Sequence, residues 1–213
     1  MTHEETPIRG RPRSFDADEA LERAMQVFWR YGYEGASLQE LTDAMGIARN
    51  SMYRAFGSKE ELFAKALERY DRGPAAYGRR ALLEPTALRV ATAFLHGAAE
   101  ATTQPGCPPG CLGVQGALAV GTQDLHAQRL LSTWRNDARQ MLENRFRQAL
   151  DDGDLPGGSD PARLARYVLS VAFGIAVQAA SGASRAELQE VADLALGNFP
   201  TRRDASPDDR EAG

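Results

Sequence analysis

The sequence has few cysteines and no long hydrophobic run, and each shortage excludes a class of protein. Only two cysteines occur among the 213 residues, too few for the disulfide framework of a small secreted domain. No stretch approaches the roughly 18 consecutive apolar residues that a membrane-spanning helix requires. Residues 1–13 are polar and lack the hydrophobic segment of a secretory signal. We therefore expect a cytoplasmic protein that does not engage a membrane.

Recognisable catalytic motifs are also missing. The sequence contains no glycine-rich phosphate-binding loop, no nucleophile elbow and no His-Glu-x-x-His motif. The three histidines, His3, His96 and His126, are scattered along the chain. Cys107 and Cys111 form one cysteine pair without a second ligand pair nearby, which argues against a zinc site. We predict that the protein is not an enzyme and binds neither a cofactor nor a metal.

Positive charge is concentrated in two short segments of an otherwise acidic chain. The formal net charge is −4. Residues 9–13 read Arg-Gly-Arg-Pro-Arg, and residues 46–59 carry Arg49, Arg54 and Lys59 without an acidic residue. This distribution fits a module that contacts a short run of DNA phosphates better than a protein that coats nucleic acid non-specifically.

Helical periodicity covers almost the whole sequence, and the alternating β-branched runs typical of strands do not occur. Ser-x-x-Glu capping boxes at Ser37 and Ser58 predict helix starts, and Gly46 predicts a helix end. Segments rich in proline and glycine, 104–110 and 152–159, predict loops. We therefore predict an all-α fold with helices at about 16–31, 38–46, 48–54, 59–72, 86–103, 111–121, 124–151, 161–181 and 185–197.

Three short helices followed by a longer one, with Gly46 in the turn between the second and third, are typical of a helix-turn-helix DNA-binding domain. In this arrangement the third helix enters the major groove and the second lies across the DNA backbone. Ile47, Met52 and Phe56 are spaced to anchor the third helix on the first two. The side chains that remain for DNA on this helix are Arg49, Asn50, Ser51, Tyr53 and Arg54.

Side-chain chemistry indicates what each of these residues would contact. Arginine suits a guanine edge, asparagine suits an adenine edge, and tyrosine or serine hydroxyls suit phosphate oxygens. Ser37 and Lys59 lie at helix starts, where free backbone amides favour phosphate. The arginines of the N-terminal segment suit a flanking minor groove. The predicted DNA-binding residues are Arg11, Arg13, Ser37, Arg49, Asn50, Ser51, Tyr53, Arg54 and Lys59.

Residues 15–63 resemble the DNA-binding domain of the TetR (tetracycline-repressor) family of bacterial transcription regulators. The resemblance implies that Tyr53 and Lys59 contact phosphates and that residues 49–54 read bases. Ala48 departs from the family's usual Ser or Thr cap, which should weaken the start of the third helix by about 1 kcal/mol. The residues that match the family's motif are Gly46, Ile47, Tyr53, Phe56, Ser58, Lys59, Glu60 and Leu62.

The resemblance also implies an all-helical C-terminal domain that binds a small molecule and dimerises. We predict a ligand-responsive transcription regulator, a repressor that a small-molecule effector releases from a pseudo-palindromic operator. Its expected partners are double-stranded operator DNA, the effector and a second copy of the chain. We predict a basic flexible arm at 1–14, the helix-turn-helix domain at 15–63, the effector-binding and dimerisation domain at 64–199, and a disordered tail at 200–213.

Residues 164–180 favour dimerisation independently of the resemblance, since they are apolar nearly all round. Small residues such as Gly174 permit close approach of a second helix. Together with residues 185–197, this helix would form a four-helix bundle with its two-fold mate. The alternative is a buried core helix of a monomer.

The helices of the C-terminal domain also carry candidate effector contacts. They mix aromatic side chains with a few polar groups, which fits a modestly apolar effector. The alternative is that most of these side chains belong to the ordinary hydrophobic core. The candidate ligand-binding residues are Phe94, His96, Gln115, Trp134, Met141 and Phe173.

The two cysteines suggest a second kind of sensing. Cys111 starts a predicted helix within a Gly-Cys-Leu stretch that resembles one in several TetR-type regulators. A helix N-terminus is expected to lower the pKa of a thiol, so Cys111, with Cys107, is a candidate sensor of oxidants or electrophiles. The competing interpretation is a buried small residue and an inert loop thiol. A further alternative is a partner-binding adaptor that has kept the fold but lost DNA binding.

Overall fold

The structure, a computed structural model, describes residues 15–118 and 125–202. This part of the chain is all-α, as predicted, and contains no strand. The helices are α1 (Ala17–Gly35), α2 (Leu38–Met45), α3 (Arg49–Phe56), α4 (Lys59–Arg72), the 3-10 helix η1 (Pro74–Ala76), α5 (Tyr77–Ala81), α6 (Ala87–Thr102), α7 (Leu112–Leu118), α8 (Leu125–Asp151), α9 (Pro161–Ala180) and α10 (Arg185–Leu196).

The first helices begin and end at local sequence signals. The Asp16 side chain accepts hydrogen bonds from two backbone N–H groups in the first turn of α1, at 2.9 and 3.1 Å. Ser37 and Ser58 form the two predicted capping boxes, at the starts of α2 and α4. Gly46 has a φ of 68° and ends α2 in the left-handed conformation that favours glycine. The turn that separates α2 from α3 is therefore set by the local sequence.

Two segments differ from the predicted helices. α1 extends to Gly35 instead of ending near residue 31, with a break at Gly32, whose φ is 71°. Residues 74–81 form η1 and α5, which were not predicted. Pro74 occupies the first position of η1, where the missing N–H breaks no helical hydrogen bond. A helix this short has too few residues for its periodicity to be recognised.

The buried side chains form two hydrophobic clusters. The first joins α1–α4 to α7 and the start of α8, where Leu112 and Leu131 are buried. The second fills the space between α5, α6, α8, α9 and α10, around Phe146. The predicted domain boundary at residue 63 lies inside α4, and α4 contributes to the first cluster on both sides of it. The helices that contain the helix-turn-helix therefore share a core with the adjoining helices of the body.

The end of the described chain is held by specific contacts. The rings of Phe199 and Phe146 lie 5.6 Å apart, and Arg202 donates a hydrogen bond to the backbone carbonyl of Gly153 at 3.0 Å. The predicted arm at 1–14 and residues 203–213 of the predicted tail lie outside the described residues. Within residues 15–118 and 125–202, no helix has the length and apolar character needed to span a membrane.

Candidate DNA-binding surface and internal cavity

The inner face of α3 holds the helix against the rest of the N-terminal helices. Met52 and Phe56 are buried, and Ile47 packs against the same hydrophobic cluster. The three anchors predicted from the sequence are therefore confirmed. Because one side of α3 is fixed in this way, its other side is held in a defined orientation.

The outer face of α3 presents polar and cationic side chains next to one another. Arg49, Asn50, Tyr53 and Arg54 are exposed, and Ser51 is partly buried. The Arg49 guanidinium donates a hydrogen bond to the Tyr53 hydroxyl at 3.4 Å and lies 5.8 Å from the centre of its ring. Arginine and tyrosine four residues apart on a helix lie on the same face, so both are available to one ligand.

The two ends of α3 are held differently. Ala48 precedes the helix and provides no side-chain hydrogen bond to its first turn, as its missing hydroxyl predicts. At the other end, the Lys65 ammonium donates a hydrogen bond to the backbone carbonyl of Phe56 at 2.9 Å. Sequence reasoning missed Lys65, because this contact depends on the angle at which α4 crosses the end of α3.

Lys59, in the first turn of α4, lies beside the ring of Tyr33. Its ammonium nitrogen is 4.4 Å from the centre of that ring, within the range of a cation–π interaction. Hydrogen bonds from the Ser37 hydroxyl and backbone lower the pKa of the Glu40 carboxyl, and the nearby charge of Lys59 adds to this effect. Lys59 thus lies close enough to Glu40, in the first turn of α2, for their charges to interact.

Ser37 is already engaged in its capping box. Its hydroxyl donates to a carboxylate oxygen of Glu40 at 2.7 Å and accepts from the Glu40 backbone N–H at 3.1 Å. A phosphate contact by this hydroxyl, as predicted, would have to share these bonds. Arg11 and Arg13, the predicted contacts of the N-terminal arm, lie outside the described residues.

A cavity of about 470 Å³ lies in the helical body, next to Asp71 in the last turn of α4. Phe94, Trp134, Met141 and Phe173, four of the six predicted ligand contacts, line it. Its volume falls within the range of small-molecule sites, which is about 300–1,000 Å³. The remaining lining residues are Asp71, Ala75, Tyr77, Gly78, Arg79, Leu82, Cys111, Val114, Asp137, Ala138, Gln140, Leu142, Asn144, Leu169, Ala172 and Ala176.

Two of the predicted contacts, His96 and Gln115, do not line this cavity. His96 follows Phe94 by two residues, about 200° around the helix, so the two side chains cannot face the same space. Its Nε2 atom lies 2.8 Å from a carboxylate oxygen of Asp193 on α10. The Gln115 side-chain amide donates to the backbone carbonyl of Pro109 at 3.2 Å, in the loop before α7.

One side of the cavity carries a polar group that the sequence did not reveal. The indole N–H of Trp134 donates a hydrogen bond to one carboxylate oxygen of Asp71 at 3.1 Å. The other carboxylate oxygen of Asp71 forms an ion pair with Arg79. Asp71 therefore joins α4 to α5 and α8 at the wall of the cavity. No motif marks it, because Trp134 lies 63 positions away and the bond to Arg79 depends on how the chain turns between α4 and α5.

Cys111 also lies in the cavity wall and is buried, as the competing interpretation of the sequence predicts. Burial raises the pKa of its thiol, and hydrogen bonding to the Tyr70 hydroxyl and to two backbone N–H groups of α7 opposes this only in part. The expected low pKa was wrong, because desolvation of a thiolate outweighs the favourable helix N-terminus. Burial also raises the pKa of Cys107, and the negative charge of Glu22 adds to the rise.

The chain is similar to known bacterial regulatory proteins over about nine tenths of its length. The family model described as bacterial regulatory proteins, tetR family, matches residues 20–66. The chain is 30% identical over 194 residues to the HTH-type transcriptional repressor ComR of Escherichia coli K12, covering 90% of this chain and 92% of ComR. A cysteine-substituted variant of the TetR family transcriptional regulator CifR, solved in complex with a 26-base-pair operator duplex, is 40% identical. Its structure matches with a TM-score of 0.85 and covers 90% of this chain and 100% of that one.

Proposed function

The chain belongs to the TetR family of DNA-binding transcription regulators, and from that premise we propose that it is a repressor controlled by a small molecule. In this proposal α3 holds operator DNA, and an effector bound in the cavity of the body releases it. The ComR protein is a transcriptional repressor, and its sequence aligns with nearly the whole length of this chain.

The acid-free outer face of α3 is the observation that carries this proposal. Tyr53 is exposed although it is aromatic, and Arg49 and Arg54 lie on the same outer surface. These side chains project from a helix whose Met52 and Phe56 are buried, so little conformational entropy of the backbone is lost when they contact DNA. We assign base contacts to residues 49–54 and phosphate contacts to Tyr53 and Lys59.

Gel-shift titration of the protein with its own upstream DNA, at several salt concentrations, tests this assignment. Lys59→Ala should weaken binding for every sequence and reduce the salt slope by about 1, since one phosphate contact is lost. Arg80→Ala is the matched control, because Arg80 is an exposed cation on α5, away from α3. Failure of the native protein to bind any fragment of its upstream DNA would overturn the proposal and favour the adaptor.

The effector site is assigned to the cavity because aromatic and aliphatic side chains form most of its wall. The polar groups of the wall include Asp71, Arg79, Asp137, Gln140 and Asn144. Such sites bind ligands through apolar contact and orient them through a few hydrogen bonds. Asp71 supplies one such polar group and belongs to α4, the helix that continues from the helix-turn-helix into the body. A ligand that favours one position of α4 would change the spacing of the two recognition helices in a dimer.

A homodimer is supported by the outer surface of α9 and α10. Val177 on α9 and Val191 and Leu194 on α10 are exposed, and Leu194 is 74% exposed. Apart from its own helix backbone, a Cβ atom added at Gly174 would have no atom of residues 15–118 and 125–202 within 4 Å. This apolar face, with room at Gly174, fits the predicted four-helix bundle between two copies.

Light scattering during gel filtration tests the dimer with two matched variants. Leu194→Glu should convert the protein to a monomer, because it places a charge in the proposed interface. Leu83→Glu should leave the dimer intact, since Leu83 is 85% exposed but lies in the turn after α5. Equal masses for the two variants would contradict the assigned interface.

Electrophile sensing by Cys111 is a second candidate function, favoured by the position of its thiol in the cavity wall. The CifR protein whose structure was solved with operator DNA is a variant with substituted cysteines. The raised pKa of Cys111 opposes this candidate, because only the thiolate is the nucleophile. Treatment with N-ethylmaleimide should release DNA from the native protein but not from Cys111→Ser, and equal release from both would remove the candidate.

A further inference from the structure

Each of the two tryptophans of the chain donates an indole hydrogen bond to a residue outside its own helix. Trp134 donates to Asp71 from within the cavity wall. Trp29, in α1, donates to the backbone carbonyl of Gly110 at 3.2 Å and is buried. Gly110 lies in the loop before α7, more than eighty positions along the chain. The hydrogen bond of Trp29 therefore joins the N-terminal helices directly to the body.

Gly110 is adjacent to the cavity wall. The next residue, Cys111, and Val114 on the first turn of α7 both line the cavity. Gly110 has a φ of 90°, and a side chain there would lie 3.1 Å from the backbone carbonyl of Ala176 on α9. The Gly110 backbone therefore lies close to α9 and is hydrogen-bonded to Trp29, so it connects the cavity wall to α1.

Tyr70 makes a second contact between the same parts. Its ring packs edge-on against Trp29, with ring centres 4.8 Å apart and planes at 82°. Tyr70 and Cys111 belong to the same buried cluster. Burial raises the pKa of the Tyr70 hydroxyl, and the nearby thiol of Cys111 adds to the rise. Trp29, Tyr70 and Cys111 consequently form one buried layer that ends at the cavity wall. Closely packed side chains transmit strain because few voids separate them.

We propose that Trp29 is a positioning residue. When a molecule occupies the cavity, Trp29 transmits the displacement of the cavity wall to α1, and through α1 to the DNA-binding helices. An occupant that displaces the wall at Cys111 and Val114 moves the Gly110 carbonyl, and the indole of Trp29 follows its acceptor. α1 packs against α2 and α4, so its displacement changes the orientation of α3. This path acts beside any motion of α4, and it rests on the proposed function of the cavity as the effector site.

Single-tryptophan variants separate the two ends of this path. Trp134→Phe leaves Trp29 as the only tryptophan, a reporter in the buried layer. Trp29→Phe leaves Trp134, a reporter in the cavity wall. Their emission spectra are compared with and without benzyl alcohol, benzyltrimethylammonium or phenylacetate. These probes share one ring, differ in charge and do not absorb at the excitation wavelength of tryptophan.

A substitution can also fill the cavity without any added ligand. Ala138 on α8 lines the cavity and belongs to the second hydrophobic cluster, whereas Trp29 belongs to the first. Ala138→Phe therefore places a ring in the cavity without touching Trp29. The same substitution is introduced into both single-tryptophan variants, so the test does not depend on finding the natural effector.

The proposal predicts that Ala138→Phe shifts the emission of Trp29 as well as that of Trp134. It also predicts that Ala138→Phe weakens operator binding by a factor, typically about 5–150 for allosteric coupling, that becomes smaller when Trp29 is replaced by Phe. An unchanged Trp29 spectrum with a shifted Trp134 spectrum would overturn it and leave the proposed function standing. Probes that shift neither reporter, while Ala138→Phe shifts both, would support the path and count against these probes as effector mimics.

Discussion

The DNA-binding surface and the cavity are built from side chains that are held in different ways. Around α3 the functional side chains are exposed, and they stand on a small aromatic core in which Phe28, Tyr33 and Phe63 contact one another. In the body the lining side chains come from seven helical segments, and many of them, such as Phe94 and Leu142, are themselves part of the core. The difference suggests that binding and stability can be altered separately at α3 but are linked at the cavity.

The largest expected effect is on the aromatic core that supports α3. Phe63→Ala should lower the free energy of unfolding by about 3–5 kcal/mol, because Phe63 is fully buried against Phe28 and Tyr33. Phe173→Ala should cost less, since Phe173 is partly buried and already borders empty space. Urea denaturation measures both losses, and an equal cost at the two positions would refute the contrast between the regions.

A change on the outer face of α3 should affect binding and not stability. Arg54→Ala is expected to weaken operator binding by about 1–3 kcal/mol and to relax the preference at one base pair. Its free energy of unfolding should stay within about 0.5 kcal/mol of the native value, because the side chain is exposed. Arg80→Ala serves as the control in fluorescence anisotropy, and equal losses for the two variants would place the DNA elsewhere.

The uncapped start of α3 allows a gain in stability. Ala48→Ser should raise the free energy of unfolding by about 1 kcal/mol, since a hydroxyl there can accept a hydrogen bond from the first turn. Ala55→Ser introduces the same hydroxyl on the exposed surface inside α3, where it caps nothing and should give no gain. A gain at both positions would mean that the cap is not the cause.

The smallest expected effect is on the reactivity of the cavity thiol. Because burial raises the pKa of Cys111, its thiolate is scarce at neutral pH, and alkylation should accelerate as the pH rises toward that higher pKa. The pKa of Cys107 is raised as well, but its side chain is only partly buried, so iodoacetamide should modify it first. Mass spectrometry of digested protein gives the order, and faster modification of Cys111 at pH 7 would contradict the account.

The same contrast explains which features the sequence could predict. Ser37, Gly46 and Ser58 fix helix ends through neighbouring residues, so the helix-turn-helix could be placed from local patterns. Phe94 and His96 were both assigned to the cavity, although they lie on different sides of α6. A mixed set of candidates on one helix does not reveal which face turns inward.

Contacts that depend on how two helices cross could not be predicted from local sequence patterns. The bonds of Lys65 with Phe56 and of Trp29 with Gly110 depend on how helices cross, and no spacing in the sequence encodes a crossing angle. The direction of the pKa shift of Cys111 could not be predicted from local patterns either. Its place at a helix start was correct, but the depth of its burial, which decides the direction of its pKa shift, is a property of the folded chain.

Directed cleavage of DNA from a reagent on α3 tests the central claim most directly. In a background with both cysteines replaced by serine, Ala55→Cys places an iron chelate on the exposed surface of α3, and Ala186→Cys places it on α10. The account predicts localised cleavage of the upstream DNA from position 55 at two symmetric sites, and none from position 186. Cleavage from position 186 without cleavage from position 55 would show that α3 does not read the operator.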